Sequence, residues 1–386
     1  MSIQSIILHA GIFKTGSTSL QVFLSENRQR LKRKGFLYPG PSSTHVDILF
    51  NYIAFDRIKK TTNIDKSRLD AIVADFLKEA KESNCHTLIL SSEMLGKLQI
   101  NEAELLKEFL KNVFGDIPIK VIAYVRNPVD LIKSLYNQDQ ISTRIVAVDL
   151  DKGTINGGYS LYKLFLFNIN TVFHEDFSIH KFEEALKDNN GLGGHFLKSL
   201  GAYSSNLRLR GIKIRNQSGS QEAIDFIRYI DENLPLCTTM QGKIRNNEGR
   251  SLDDRFIFRH IRGKKFTIAA GIMKKFLYNI KDDLKWLEDT FGVKYSELKF
   301  DDDNIAADTY SGTTLDDFAT IFPLLTPQAQ ELFFKFFTQK HLETKDHKFA
   351  AMYMECSFSY KIYMKNQSLL AEVAELKKQL AQLSQK

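Results

Sequence analysis

Apolar positions along the chain switch repeatedly between two spacings, and that alternation predicts the architecture. Residues 5 to 10 (SIILHA) form a short continuous apolar run, as expected of a strand buried on both faces. From Thr18 onward, apolar side chains recur at Leu20, Phe23, Leu24 and Leu31, which is helical spacing. That helix closes with RLKRKG. Its basic side chains suit the negative end of the helix dipole, and Gly35 can take the left-handed conformation that ends helices. The same reading predicts a helix at 66 to 83, a strand at 87 to 91 (TLILS), a helix at 102 to 114 and a strand at 118 to 125 (PIKVIAYV). Another helix starts after Arg126-Asn127, where Pro128 fills a first-turn position that needs no N–H. A strand at 171 to 175 (TVFHE) completes the sheet, 178 to 292 reads as mainly helical, and 293 to 350 as irregular to helical. Strands alternating with helices imply an α/β fold: a parallel sheet covered on both faces.

The tail has a different period. Ile362, Asn366, Leu369, Val373, Leu376, Leu380 and Leu383 lie alternately four and three residues apart, a heptad seam with one asparagine in it. This predicts a short coiled coil that makes the chain a homodimer. The alternative is a monomeric amphipathic helix packed on the body. The expected organisation is therefore 1–292 as the main domain, 293–354 as a helical extension and 355–386 as the coiled-coil tail.

Between the first strand and the first helix lies HAGIFKTGSTSLQ (9–21), with two glycines, one lysine and a run of hydroxyl side chains. A glycine-rich turn entering a helix N-terminus presents unpaired backbone N–H groups and the positive dipole end, and so binds phosphate. Gly11 and Gly16 permit close backbone approach, while Ser17, Thr18 and Ser19 add donors. A plain capped helix would explain the hydroxyls but not Lys14 within the loop. The nucleotide motif GxxxxGK[ST] fits poorly. Counting from Gly11, Gly16 is in place, but Ser17 follows it and the lysine stands earlier.

The order K-T-G-S-T-S instead resembles the 5′-phosphosulfate loop of the sulfotransferases that use 3′-phosphoadenosine-5′-phosphosulfate (PAPS), in particular their glycan-modifying and bacterial branches. A second motif of that family is an arginine opening RNPxD after a later strand, with a serine eight residues on. Here VIAYVRNPVDLIKSLY supplies Arg126 and Ser134. FHEDF (173–177), KIRNQS (213–218) and DDLKWLEDTFG (282–292) look like weaker landmarks, so the resemblance spans roughly residues 3 to 292. It implies a P-loop-like parallel sheet flanked by helices, PAPS as donor and its bisphosphate PAP as product. By the same resemblance, Lys14, Thr15, Gly16, Ser17, Thr18 and Ser19 bind the 5′ end of the nucleotide and Arg126 and Ser134 its 3′-phosphate. The reaction would be in-line transfer of a sulfuryl group to an acceptor hydroxyl, Lys14 facing the charge that develops on the leaving phosphate. Three residues compete as the base. Glu93 directly follows the strand at 87–91 and should stand at the carboxyl end of the sheet. His45 and Asp47, in PSSTHVDILF, lie where the heparan-modifying branch carries a glutamate.

Composition narrows the surroundings. Hydrophobic residues make up 43% and charged residues 26%, and no apolar window approaches the ~20 residues a membrane span needs. The N-terminus lacks a basic segment and a cleavage site, so cytoplasmic residence is expected. Cys85, Cys237 and Cys356 are too scattered for a disulfide framework or a zinc site, and no carboxylate pair suggests a metal. A net charge of +7, with basic residues in excess between Arg208 and Lys265, fits an anionic ligand. Nucleic acid is not expected, because no nucleic-acid-binding motif accompanies that charge. Tyr159, Tyr162, Phe165 and Phe167 could face a sugar, although their spacing also fits core packing. The acceptor is expected to be a carbohydrate, with a lipid-linked or small-alcohol hydroxyl as the open alternatives. Two rival readings are a kinase or NTPase with an atypical loop, and a non-catalytic nucleotide-binding interaction protein.

Overall fold

A computed structural model describes residues 3–141, 147–202, 219–221, 223–227, 264–295 and 327–345, with isolated positions 365, 369, 372 and 373 of the tail. Two bodies are distinguished. One comprises 1–136, 146–216 and 268–303, the other 137–145, 217–267 and 304–386.

The first body is built on five parallel strands: β1 (Ser5–Ala10), β2 (Phe36–Leu37), β3 (Thr87–Ser92), β4 (Ile119–Val125) and, after a small hairpin of β5 (Val148–Asp149) and β6 (Thr154–Ile155), β7 (Phe177–Lys181). Their order is β2-β3-β1-β4-β7. The chain thus leaves β1 toward one edge, returns through β3, then crosses β1 to β4 and β7. In such sheets the ligand crevice lies where the direction reverses, at the carboxyl ends of the strands. Here that place is the end of β1, flanked by Ser92 of β3 and Ala123 of β4.

The helices are α1 (Ser17–Glu26), α2 (Arg28–Lys32), α3 (Phe55–Ile58), α4 (Lys66–Glu82), α5 (Ile100–Phe114), α6 (Pro128–Ile141), α7 (Lys163–Phe173), α8 (Phe182–Ala185) and α9 (Gly191–Ser199), followed by Ala270–Asn279, Lys281–Phe291 and Pro327–Thr344. Strand residues alternate between faces. Ile7, Ile89 and Ile122 join Leu20, Phe23, Leu24, Leu192, Phe196 and Leu197 in one buried cluster, which fastens α1 and α9 to the sheet. Each such side chain contributes about 1.5–3 kcal/mol by leaving water. On the opposite face, Leu8, Leu90 and Val121 are fully buried, and α7 packs on β4 and on α5.

Beyond shifts of one or two residues at element ends, two segments differ from the sequence reading. The expected strand at 171–175 is the end of α7 and a 3₁₀ turn, and the fifth strand is Phe177–Lys181. Helical spacing of Phe165, Leu166, Ile169, Val172 and Phe173 extends through that segment and overrides its β-prone composition. The helix expected to run unbroken toward Gly35 divides at Asn27, a buried residue whose Nδ2 donates to the Phe23 carbonyl at 2.8 Å. Gly35 itself is left-handed, as expected, at φ 81°.

In the second body, Asn137 exchanges two hydrogen bonds with the backbone of Gly219, and Phe226 packs edge-on against Phe333 at 4.6 Å. Of the tail seam, Leu369 and Val373 are helical and exposed, while its other positions lie outside the described residues. So do KIRNQS (213–218), Cys237, Cys356 and most of the basic stretch 208–265. Cys85 is a buried free thiol.

Candidate active site

The loop after β1 is fixed from within. Gly11 N–H donates to the Ser92 carbonyl at 3.1 Å, which ties its start to the end of β3. The hydroxyls of Thr15 and Ser17 are buried and both donate to the Ile12 carbonyl, at 2.7 and 3.1 Å. These two side chains therefore hold the loop closed, leaving the exposed Thr18 and half-buried Ser19 hydroxyls accessible. Lys14 has φ 66° and Gly16 φ 79°. For lysine the left-handed region costs about 1–2 kcal/mol, strain of a kind that concentrates at functional sites. Gly16 leads directly into α1; among the described residues no side chain caps that helix, and no acidic residue sits in its first turn. The first amides of α1 have no intrahelical acceptor. Uncapped amides behind a lysine-bearing turn are the donor set that a phosphate group requires.

Arg126, just past β4, reaches this loop: its Nη1 donates to the Lys14 carbonyl at 3.2 Å. The guanidinium also lies over the Phe182 ring at 5.7 Å. Three neighbours set the backbone behind it. Tyr162 Oη donates to the Arg126 carbonyl at 2.6 Å, Asn127 N–H donates to Glu183 Oε1 at 2.7 Å, and Val129 N–H donates to Asn127 Oδ1 at 3.0 Å. Tyr162 is in turn placed by Asp283, whose carboxylate accepts the N–H groups of Leu161, Tyr162 and Lys163 and so caps α7. Ser134 lies half-buried on α6, two turns past Arg126.

Glu93 opens a 3₁₀ turn, Glu93–Lys97, directly after β3. Burial pushes its carboxyl above the usual range, opposed by the charge of Lys14 and a hydrogen bond with Ser17. The partner effect is seen on Lys14, whose ammonium is lowered by burial and by Arg126 while Glu93 opposes the shift. A Cβ on Gly11 would meet Ser17 Oγ at 2.7 Å and Glu93 Cγ at 3.0 Å, so glycine is what lets carboxylate and loop approach.

The other two candidates for the base are placed differently. His45 is buried with both ring nitrogens engaged by backbone: Nδ1 accepts from Ser91 N–H at 2.9 Å and Nε2 donates to the Pro39 carbonyl at 3.0 Å. Burial lowers its pKa to about 4. Its ring fastens the β2–α4 connection to β3 and has no nitrogen left for a substrate. Asp47 begins a π-helical turn and accepts a hydrogen bond from Asn51 Nδ2 at 2.7 Å. Of the aromatics expected to face a sugar, Tyr162 and Phe165 are core residues, whereas Tyr159 and Phe167 are exposed.

The sequence reading missed three neighbours of the site, Phe182, Glu183 and Leu192, and named Tyr162 only as a sugar-facing or core aromatic, not as the donor to the Arg126 carbonyl. Phe182 and Leu192 stand against Gly16, where a Cβ would lie 2.8 Å from Phe182 Cε2 and 2.9 Å from Leu192 Cδ2. Only the fifth strand, once located, shows that Phe182 and Glu183 emerge at the same sheet end as the loop.

No protein-family model and no curated relative matches the chain. Among solved structures, the chain is similar to the sulfotransferase domain from the curacin biosynthetic pathway, with a TM-score of 0.31 and 13% identity over 58% of this chain and 82% of that one.

Proposed function

We propose that the chain is a sulfotransferase that moves a sulfuryl group from PAPS to an acceptor hydroxyl on a carbohydrate. The observation that carries this reading is the hydrogen bond from Arg126 to the Lys14 carbonyl, which brings two motifs 112 residues apart to one sheet end beside Glu93. The residues fit the donor. Uncapped amides of α1 with Lys14, Thr18 and Ser19 suit its 5′ end, and Arg126 with Ser134 suits a second phosphate.

When bound, PAPS supplies a sulfuryl group already activated for transfer. Glu93 would take the proton of the acceptor's hydroxyl as that oxygen receives the sulfuryl group in exchange for the phosphate oxygen. Lys14 stabilises the charge left on that phosphate, a preorganised interaction worth about 3 kcal/mol where such single donors have been removed. Its desolvated ammonium acts more strongly there than it would in water. The proposal extends to dimerisation through 355–386, which analytical ultracentrifugation of the full chain against a chain ending at 354 would test.

The direct test is PAP release, followed by chromatography, together with mass spectrometry of a panel of sugars after incubation with PAPS. A sulfated sugar and stoichiometric PAP are expected, and Lys14→Ala should slow release about 100-fold. No mass gain on any hydroxyl compound, with PAPS left intact, would refute the assignment.

A further inference from the structure

The turn that begins with Glu93 ends with Lys97, and this second residue has no role in the chemistry described so far. Its ammonium lies 5.4 Å from the centre of the Phe13 ring, one residue before Lys14 in the phosphate loop, and Phe13 is backed edge-on by Phe165. Lys97 therefore borders the same loop as the nucleotide-facing groups, on the side of the base. A five-residue 3₁₀ turn rises about 8 Å between its end residues.

The charges around this spot do not balance. Arg57 donates from Nη2 to the Lys97 carbonyl at 3.1 Å, but its guanidinium is neutralised by Glu102 in a two-pronged pair at 2.7 and 2.8 Å. Lys14 has Glu93. Lys97 is half-buried and, among the described residues, has no carboxylate partner; the nearby charge acting on it is the like charge of Arg57. An ammonium partly withdrawn from water beside a second cation is unfavourable unless something anionic completes it.

We propose that Lys97 anchors an anionic group on the acceptor, so that the sugar sulfated here already carries a carboxylate, phosphate or sulfate. This rests on the reading of the site as a sulfotransferase and specifies its acceptor class. The hydroxyl lies at Glu93, the body of the sugar along the 3₁₀ turn and the negative group at Lys97. Such an anchor chooses among acceptors through binding, because it lies away from the transferred group and interacts with ground and transition states alike.

The test is calorimetric titration of the full chain saturated with PAP, using three probes: 4-nitrophenyl β-D-glucoside, the matching glucuronide, and the glucoside 6-phosphate. At least one charged probe should bind tenfold or more tightly than the glucoside. Lys97→Met should remove that preference and Lys97→Arg should retain it. If the carboxylate alone is preferred the anchor recognises uronates, and if the phosphate alone is preferred it recognises sugar esters; either outcome supports it. Equal affinity for all three probes, or a preference that survives in Lys97→Met, overturns it. PAP titrated into the wild-type and variant chains before any probe is added separates the two levels. Normal PAP binding without charge preference removes only the anchor, whereas no PAP binding removes the sulfotransferase reading and the anchor with it.

Discussion

Replacing Gly16 by alanine tests how tightly the phosphate loop is held. Two costs are expected. The first is conformational: φ 79° and ψ 15° place Gly16 in the left-handed region, where a Cβ costs about 1–2 kcal/mol. The second is steric, since the added carbon would stand 2.8 Å from Phe182 and 2.9 Å from Leu192, closer than such atoms approach in real structures. Leu192 belongs to the main core cluster and Phe182 packs against it, so neither ring nor branch can withdraw freely. Overpacking of this kind typically costs 1–3 kcal/mol. Gly292 isolates the first cost. It has φ 66° and ψ 13°, ends the helix Lys281–Phe291, and among the described residues has nothing within 4 Å of its Cβ position. Gly292→Ala should therefore cost about 1–2 kcal/mol and Gly16→Ala about 2–5 kcal/mol. Urea unfolding followed by the fluorescence of Trp286, the only tryptophan, reports on the body that holds both glycines. The Gly16 variant should also bind PAP more weakly, because the loop must shift. Equal costs for the two variants would refute the clamp, and unchanged PAP affinity in Gly16→Ala would refute the loop's role.

Three further predictions follow from the same geometry. Because burial raises the Glu93 carboxyl and lowers the Lys14 ammonium, kcat/KM should rise with pH above the ordinary carboxylate range and fall below the ordinary lysine range. Glu93→Gln should lower kcat by 10²- to 10⁴-fold and erase the acid limb; an acid limb that survives would place the base elsewhere. Tyr162→Phe removes the hydroxyl that donates to the Arg126 carbonyl, so unfolding should show a loss of about 1–3 kcal/mol and PAP titration a weaker site; neither change would be seen if Arg126 is set by its other neighbours alone. His9 and His45 are buried neutral, with pKa values lowered from 6.5 to about 3 and about 4. The unfolded chain binds these protons first, so stability is full above pH 6.5 and falls toward pH 4, by about 1.4 kcal/mol per pH unit for each histidine. Urea midpoints at pH 7, 6 and 5 would expose a flat profile if this is wrong.

The sequence revealed most where local signals agree. For β1, the loop, α1, β3, α5, β4 and the start of α6, periodicity, capping and glycine placement all indicated the same elements. Those elements put Lys14, Glu93 and Arg126 at strand ends, whereas the roles given to Lys14 and Arg126 came from the resemblance to the sulfotransferase motifs. The fifth strand was illegible because Phe177–Lys181 is only half-buried and its apolar signal is faint, whereas the preceding helix carries a β-prone composition. Losing that strand also lost Phe182 and Glu183. His45 could not be judged from sequence at all, since its role depends on two backbone partners, Ser91 and Pro39, that only the folded connection supplies. Lys97 was hidden for a related reason: its want of a carboxylate partner among the described residues is a property of the assembled site.

The central claim is that a lysine placed before the hydroxyl cluster, joined by Arg126, selects a bisphosphorylated adenylate over a triphosphate. Calorimetric titration of the wild-type chain with PAP, and separately with ATP and magnesium, tests it most directly. One PAP site per chain is expected, at least 100-fold tighter than ATP and largely lost in Arg126→Ala. Tighter binding of ATP–magnesium, or PAP binding indifferent to Arg126, would contradict it.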